Sequence, residues 1–397
     1  MTRRPRLCML VHGPYPIGEE RVLREARAAV DGGYDVDVVA MRRPGEPARE
    51  FAEGCRVFRL PITAGRRTAG RVVYEYIGFF TLATVWLLRS IARPYDVVQV
   101  HNPPDFLLAA AFVPRLRGAR VVFDVHDFAP ELFALHFERV PGALRVLERI
   151  ERWAFRRADL VLTVNERYRE RIAARRGRGG VAVVLNSLDE GLLPPDAPHA
   201  DGFRVVTHGT LNEHYGVDVL VEAFRVVRDA VPEARLEIFG DGDAVSAIRE
   251  RIAEQGVRDA TTFEGRYLPQ REALQRVAGA SVGVVANLPL PRNHAALPVK
   301  LLEYVAMGIP VVASDLDAIH DYFDDDEVCF VPGGDSAALA EALLAVARDP
   351  AAASAQAARA RERYEGYRWN AQAAAYVGLL DALRSGSGGE AVEQPAE

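Results

Sequence analysis

Residues 297–314, Leu297 to Ser314, read LPVKLLEYVAMGIPVVAS, and the reading of this stretch decides the fold. Pro298 sits where a helix can start, because its missing N–H would be an orphan there anyway. Leu301, Leu302, Val305 and Ala306 form an apolar stripe. Gly308 suits the left-handed position that closes a helix. Pro310 follows, and Val311–Val312 opens a short buried strand. Lys300 and Glu303 are three apart and share a face. The free N–H groups of Val299 and Lys300 at the helix start favour an anion. An anion site beside a fixed carboxylate suits a ligand with phosphates at one end and hydroxyls nearby, a nucleotide sugar. The same pair would also serve as a surface Lys–Glu contact worth about 0.2–0.5 kcal/mol, and both readings stand at this level. Lys300 is the one lysine among 49 basic residues; the other 48 are arginine.

Outward from this stretch the helix–strand alternation repeats. Upstream in the second half lie strand Phe203–His208, helix Val217–Val231, strand Arg235–Phe239 and helix Ala244–Gln255. Strand Thr261–Glu264, helix Gln270–Val277 and strand Ser281–Ala286 follow. Downstream come strand Cys329–Val331 and helix Ser336–Arg348. The first half has strands at Arg6–Val11, Asp35–Met41, Cys55–Leu60, Asp96–His101, Arg120–Asp127, Leu160–Val164 and Val181–Leu185. Its helices are expected at Glu20–Asp31, Phe106–Leu116, Ala143–Arg157 and Glu166–Arg175. Near-continuous apolar strands alternating with helices imply parallel sheets covered on both faces. The fold class is therefore α/β, two doubly wound Rossmann-like domains facing across a cleft. The proline-rich Leu192–Pro198 places the boundary at 195/196. The second domain runs to 363, a helical segment covers 364–384, and 385–397 reads as a disordered tail.

Composition agrees with a soluble globular protein of two or three domains: 397 residues, 49% hydrophobic and 26% charged. Residues 1–195 carry 31 basic and 23 acidic side chains, net +8; residues 196–397 carry 18 and 32, net −14. The basic first half favours an anionic acceptor or surface. No nucleic-acid partner is expected, and the oligomeric state is left open. Cys8, Cys55 and Cys329 have no metal or redox spacing, which fits a reducing cytosol. The N-terminus reads as a first strand and not a signal peptide. Val72–Ala92 is apolar, with 13 uncharged residues between Glu75 and Arg89. A membrane span needs about 20, so it reads as a buried helix. Arg66, Arg67, Arg71, Arg89 and Arg93 leave a peripheral contact with the inner membrane face as the second reading.

Polar and small residues gather where strands end: His12 and Gly13, His101 and Asn102, His126 and Asp127, Asn165, and Asn186 in the first half. In the second half these are His208, Gly209 and Thr210, then Gly240, Asp241 and Gly242, Gly265 and Arg266, and Asn287. Each alone is ordinary turn chemistry. Their shared register is what ligand sites at the carboxyl ends of parallel strands require.

With these segments the chain resembles glycosyltransferase family 4, retaining enzymes of the two-domain GT-B fold. The resemblance rests on ERVLREARAAVDGGYDVDVVA, DVVQVHNPPDF, VVFDVHDFAPE, HGTLNEHYGVDVLVEAF, LEIFGDGD, TTFEGR and PVKLLEYVAMGIPVVAS. It implies a nucleotide-diphosphate sugar as donor substrate in the second domain, a hydroxyl acceptor in the first, no metal and no further cofactor. Glu303 matches the glutamate that holds the ribose hydroxyls, His126 the histidine facing the reacting sugar, and Gly13 the loop near the donor phosphate. Trp369 resembles the aromatic opening a C-terminal helix that packs back on the first domain. His208, Gly209, Thr210, Gly240 and Arg266 join Val299, Lys300 and Glu303 on the donor side; His101, Asn102 and Asp127 fall on the acceptor side. Two departures from the pattern stand out. Ala295 stands where the family has a first glutamate, and Thr210 and Tyr215 stand where it has an Arg and a Lys for the diphosphate. A leaving diphosphate needs positive charge or oriented donors. Lys300, the N–H groups at Val299 and Lys300, and Arg266 or His208 are the expected replacements, with Lys300 and His126 in catalysis. A degenerate homologue acting as a partner subunit and a nucleotide-sugar epimerase are the rival readings.

Overall fold

In a computed structural model of the chain, residues 3–63, 65, 69–136, 142–194 and 202–386 are described. Arg66, Arg67, the 195/196 boundary and residues 387–397 of the expected tail lie outside them. The chain divides into two compact units, one of 1–185 with 370–397 and one of 186–369.

The first unit is built on strands β1 Arg6–Pro14, β2 Asp35–Met41, β3 Arg49–Ala52, β4 Cys55–Leu60, β5 Val97–His101, β6 Arg120–Val125, β7 Leu160–Thr163 and β8 Val181–Val183. Their order is β3-β4-β2-β1-β5-β6-β7-β8. All neighbours are parallel except β3, which pairs antiparallel with β4 at the edge. β3 was not expected: its four residues, REFA, are exposed or half-buried and carry no apolar run. The central strands are buried on both faces, as their Val/Leu runs require. Chain order reverses between β1 and β5, so the crevice at their carboxyl ends is the topological switch point.

The helix Glu20–Asp31 departs from its expected apolar face. It buries Arg21, Arg24 and Glu25 beside Val22, Ala26, Ala28 and Ala29, whereas Leu23 and Val30 are only half-buried. Helix Ala69–Arg89 corrects the reading of a buried helix. Phe79, Ala83 and Leu87, four apart, face the core, while Val73, Tyr74, Ile77, Val85 and Leu88 are exposed. A helix on a sheet face buries one stripe only, and here the outer stripe is apolar too. The expected helix Phe106–Leu116 is a 3₁₀ segment Asp105–Ala111 followed by Phe112–Leu116, and an unexpected helix covers Ala129–His136.

The second unit holds β9 Arg204–Thr210, β10 Arg235–Asp241, β11 Thr261–Gly265, β12 Val282–Val285, β13 Val311–Ser314 and β14 Cys329–Val331. The order β11-β10-β9-β12-β13-β14 is parallel throughout, with its switch point between β9 and β12. The helix Val299–Ala306 is buried from Lys300 to Ala306 and leads through Gly308, at φ +67°, into β13. Pro298 is its cap and not its first turn. The segment expected as one helix from Tyr364 breaks at a 3₁₀ turn, Glu365–Tyr367, before helix Trp369–Ser385. Trp369 N–H is held by Glu190, whereas Gln372 and Tyr376 bond to Leu185 and Gln99 of the first unit.

Candidate active site

Polar clusters occupy both switch points. In the second unit the cluster starts at the end of β9. His208 Nε2 donates to Glu303 Oε2 at 2.7 Å, and Tyr304 hydroxyl donates to His208 Nδ1 at 2.9 Å. A neutral imidazole with Nε2–H satisfies both contacts. Gln270 Nε2 donates to the other carboxylate oxygen of Glu303 at 2.7 Å. Tyr304 is seated by Gly283, where a Cβ would stand 2.4 Å from its ring. Glu303 is thus a buried carboxylate fixed in orientation from two sides.

Lys300 is 9% exposed, so the surface-pair reading fails. Its ammonium lies 5.4 Å from the centroid of the Tyr215 ring, a cation–π contact. Burial pushes its pKa down to about 8, and Glu303 opposes the fall. Gly209, at φ +107°, brings the backbone near it: a Cβ there would touch Lys300 Cε at 3.7 Å. Gly240 is fixed by space as well as by φ +144°, since its Cβ would fall 1.8 Å from Gly209 O. Leu301 N–H already donates to Pro298 O, which leaves Val299 and Lys300 at the open helix start. Thr210 is exposed. Arg266 does not join this group: it is exposed just after β11, two strands from β9, and paired with Glu264 and Glu272. His208 is likewise committed to Glu303 and Tyr304, so neither expected substitute cation is at hand.

In the first unit the centre is a residue the sequence reading passed over. Asp124, fully buried in β6, takes Arg21 in a two-pronged pair at 2.9 and 3.0 Å. Its Oδ2 also accepts from His126 Nε2 at 2.8 Å and His101 Nδ1 at 3.0 Å. Behind Arg21 stands Glu25 at 3.0 Å, which accepts from Gln99 at 2.6 Å, and Gln99 accepts from Tyr376 hydroxyl at 2.6 Å. Burial alone would raise Asp124, but Arg21 and the histidines hold it well below the usual carboxylate range. Burial likewise lowers His126, and Asp124 overrides it, so His126 is raised. His101 is lowered, because its burial outweighs the same carboxylate.

Asn102, expected to bind acceptor, is instead a staple. Its Oδ1 accepts from His126 N–H at 2.8 Å, and its Nδ2 donates to Asp127 O at 2.6 Å and Asp105 at 3.1 Å. His101 is buried behind Asp124, and Asp127 is half-buried at the strand end. Gly13 sits directly under the Glu19 carboxyl, which burial pushes up to about 7 against the pull of His126. His12 is a packing residue, edge-on to Tyr76 and Phe79 and pushed down to about 4 by burial. The spacing of Arg21 and Glu25, one helical turn apart, was the available signal for the network.

Among the described residues, two groups of side chains have metal-ligand proximity, His101–Asp124–His126 and Asp324–Asp326–Glu327. Arg21 occupies the first, and Arg359 and Arg363 occupy the second. A cation there would have to displace a guanidinium.

Residues 18–187 match the model of the Glycosyl transferase 4-like domain, and residues 202–349 that of Glycosyl transferases group 1. Together they cover 318 of the 397 residues, 170 and 148. A glycogen synthase of Mycobacterium tuberculosis is 28% identical over 304 residues, 74% of this chain and 70% of that protein. Among solved structures, the sucrose-phosphate synthase of Thermosynechococcus elongatus superposes with TM-score 0.76 at 19% identity, covering 96% of this chain and all of that one. Anabaena Alr3699/HepE in complex with UDP-glucose gives 0.68 at 17%, covering 95% and 99%.

Proposed function

The chain belongs to the family 4 glycosyltransferases of GT-B fold, and on that premise we propose that it moves a sugar from a nucleoside diphosphate sugar to a hydroxyl acceptor, with retention and without a metal. The observation that carries this reading is Glu303, buried at a switch point and aimed by His208 and Gln270, beside the buried ammonium of Lys300. A fixed carboxylate is suited to a ribose diol, and an ammonium to the diphosphate. The likeness to a structure holding UDP-glucose supports the donor class. His126 orients hydroxyls of the transferred sugar as a donor, its position set by Asp124. The sugar passes through an oxocarbenium-like state, and the departing phosphate oxygen takes the acceptor proton. The guanidinium of Arg21, seated on Asp124 beside His101 and His126, supports a metal-independent reaction. Three unpaired thiols suit a reducing compartment, and we place the reaction in the cytoplasm.

Calorimetric titration with UDP, ADP, GDP and dTDP tests the reading. One of them binds the wild type, and Glu303→Gln weakens it about tenfold or more while leaving pyrophosphate binding intact. Equal binding of the nucleotide by the variant would refute the role of Glu303.

A second reading concerns the acceptor. Val73, Tyr74, Ile77 and Leu88 on helix Ala69–Arg89 are exposed, as are Phe112 and Leu116 on the helix packed beside it. Arg71, Arg89, Arg115 and Arg117 lie on the same two helices or at their ends. An apolar stripe with basic flanks suits an anionic lipid surface, and with it a lipid-linked acceptor.

A further inference from the structure

We infer that Arg292, together with Lys300 and the Nε2–H of His214, forms the clamp for the leaving diphosphate, a site that rests on the donor reading above. The loop after β9 lacks the Arg and Lys of the family pattern, with Thr210 and Tyr215 in their places. The Tyr215 ring nevertheless carries a cation, the Lys300 ammonium. His214 stacks on Tyr215 with ring centroids 4.1 Å apart. The carbonyl of His214 accepts from Asn293 Nδ2 at 2.8 Å and from Leu288 N–H at 3.0 Å. Asn293 lies on the short helix Pro291–Ala295, whose second residue is Arg292. Contacts therefore run without a gap from Lys300 through Tyr215 and His214 to the residue beside Arg292.

The three groups share a second property. Among the described residues, Lys300 is nine-tenths buried and Arg292 half-buried, and the side chain of neither makes a hydrogen bond or an ion pair. His214 Nε2 is buried with no partner. Elsewhere in this unit Arg204, Arg266 and Arg276 are each matched by glutamates. Burial first, then the charges of Arg292 and Lys300, hold His214 down to about 4, so both cations act on one imidazole. Unpaired buried donors are costly unless a ligand accepts from them. Two cations and a buried imidazole nitrogen, which donates in the Nε2–H tautomer, suit a diphosphate whose charge grows as the bond breaks. In that step the C1–O bond to the β-phosphate breaks with its electron pair on the phosphate oxygen. The acceptor oxygen bonds to C1 and gives its proton to the departing phosphate.

Titration of the full chain with the nucleoside diphosphate it binds, with the matching nucleoside, and with inorganic pyrophosphate decides the matter. Arg292→Gln should weaken the diphosphate and pyrophosphate by about tenfold to a hundredfold, leave the nucleoside unchanged, and keep the wild-type unfolding temperature. Arg292→Lys should recover part of the loss, and His214→Gln should weaken pyrophosphate several-fold. If the wild type binds a nucleoside diphosphate and Arg292→Gln binds it within twofold, the clamp is wrong and the donor reading stands. If pyrophosphate binds through Arg292 but no nucleoside diphosphate does, the donor reading fails and the clamp stands. If the wild type binds neither, both fall.

Discussion

Replacing Asp124 with asparagine keeps the shape of the side chain and removes its charge. The carboxylate accepts four hydrogen bonds, two from Arg21 and one each from His101 and His126, with no exposure to water. Leaving a buried charge without its partner costs about 3–5 kcal/mol. Glu25, 3.0 Å from Arg21 and otherwise protonated up to about pH 8, releases its proton in the variant to compensate part of it, so the lower end, ~3 kcal/mol, is expected. For a unit of this size that is roughly 6–12 °C in melting temperature, at about 2–4 °C per kcal/mol. Calorimetry and denaturant unfolding at pH 7 measure it. Asp124 is held below its ordinary value, so its contribution is present above the unfolded carboxylate pKa and lost as pH falls through the folded one. The deficit of the variant should therefore shrink in strong acid, as the wild-type carboxylate is protonated, and narrow as pH rises through the raised value of His126, whose partner the variant lacks. His126 should lose its upward shift, and any kinetic limb it sets should move to lower pH. Exchanging both members, Arg21→Met with Asp124→Leu, should cost less than the single change. A loss below ~1 kcal/mol, with an unmoved pH profile, would refute the reasoning.

Lys300→Gln should lower turnover by about tenfold or more; a change within threefold, under ~1 kcal/mol of barrier, would contradict its role. Lys300 is pushed down to about 8, so it loses charge as pH rises through that value, and wild-type kcat/KM should decline above about pH 8 on a limb the variant lacks. Glu25 is raised to about 8 by burial against the pull of Arg21, so the folded state gains from its proton below the unfolded pKa and loses that gain as pH climbs toward 8. Unfolding free energy measured from pH 5 to 8.5 should fall in the wild type and stay flat in Glu25→Gln; parallel curves would refute the assignment. Sedimentation with anionic vesicles should capture the protein, and Tyr74→Ser with Ile77→Ser should release it while zwitterionic vesicles bind neither. Capture unchanged by the pair would remove the membrane reading.

The parts legible from sequence were those set by neighbours along the chain. Gly308 after an apolar helical stripe, and Val311–Val312 after Pro310, placed a helix and a strand close to where they lie. Alternating Val/Leu runs gave parallel sheets, and strand ends gave His126, His208 and the glycines. What escaped notice depends on distance. Asp124 looks like one polar residue inside the apolar run RVVFDV, and its partner Arg21 is 103 residues away. Arg292 belongs to a five-residue helix without apolar periodicity, and its relation to Lys300 passes through the aromatic pair His214 and Tyr215. The outer face of Ala69–Arg89 was misread because an apolar helix is buried all round far more often than it shows an apolar face to solvent. Charge type misled in the same way: Arg266 is a strand-end arginine in sequence, and only the fold shows Glu264 and Glu272 already on it.

Time-resolved NMR of the full chain with UDP-, ADP-, GDP- and dTDP-sugars is the most direct test of sugar transfer. The account predicts that one donor is cleaved without added metal and that the newborn anomeric proton has the configuration of the donor. Binding of a nucleoside diphosphate with no turnover of any donor would mark a degenerate homologue, and an inverted anomer or an epimerised donor would contradict the account outright.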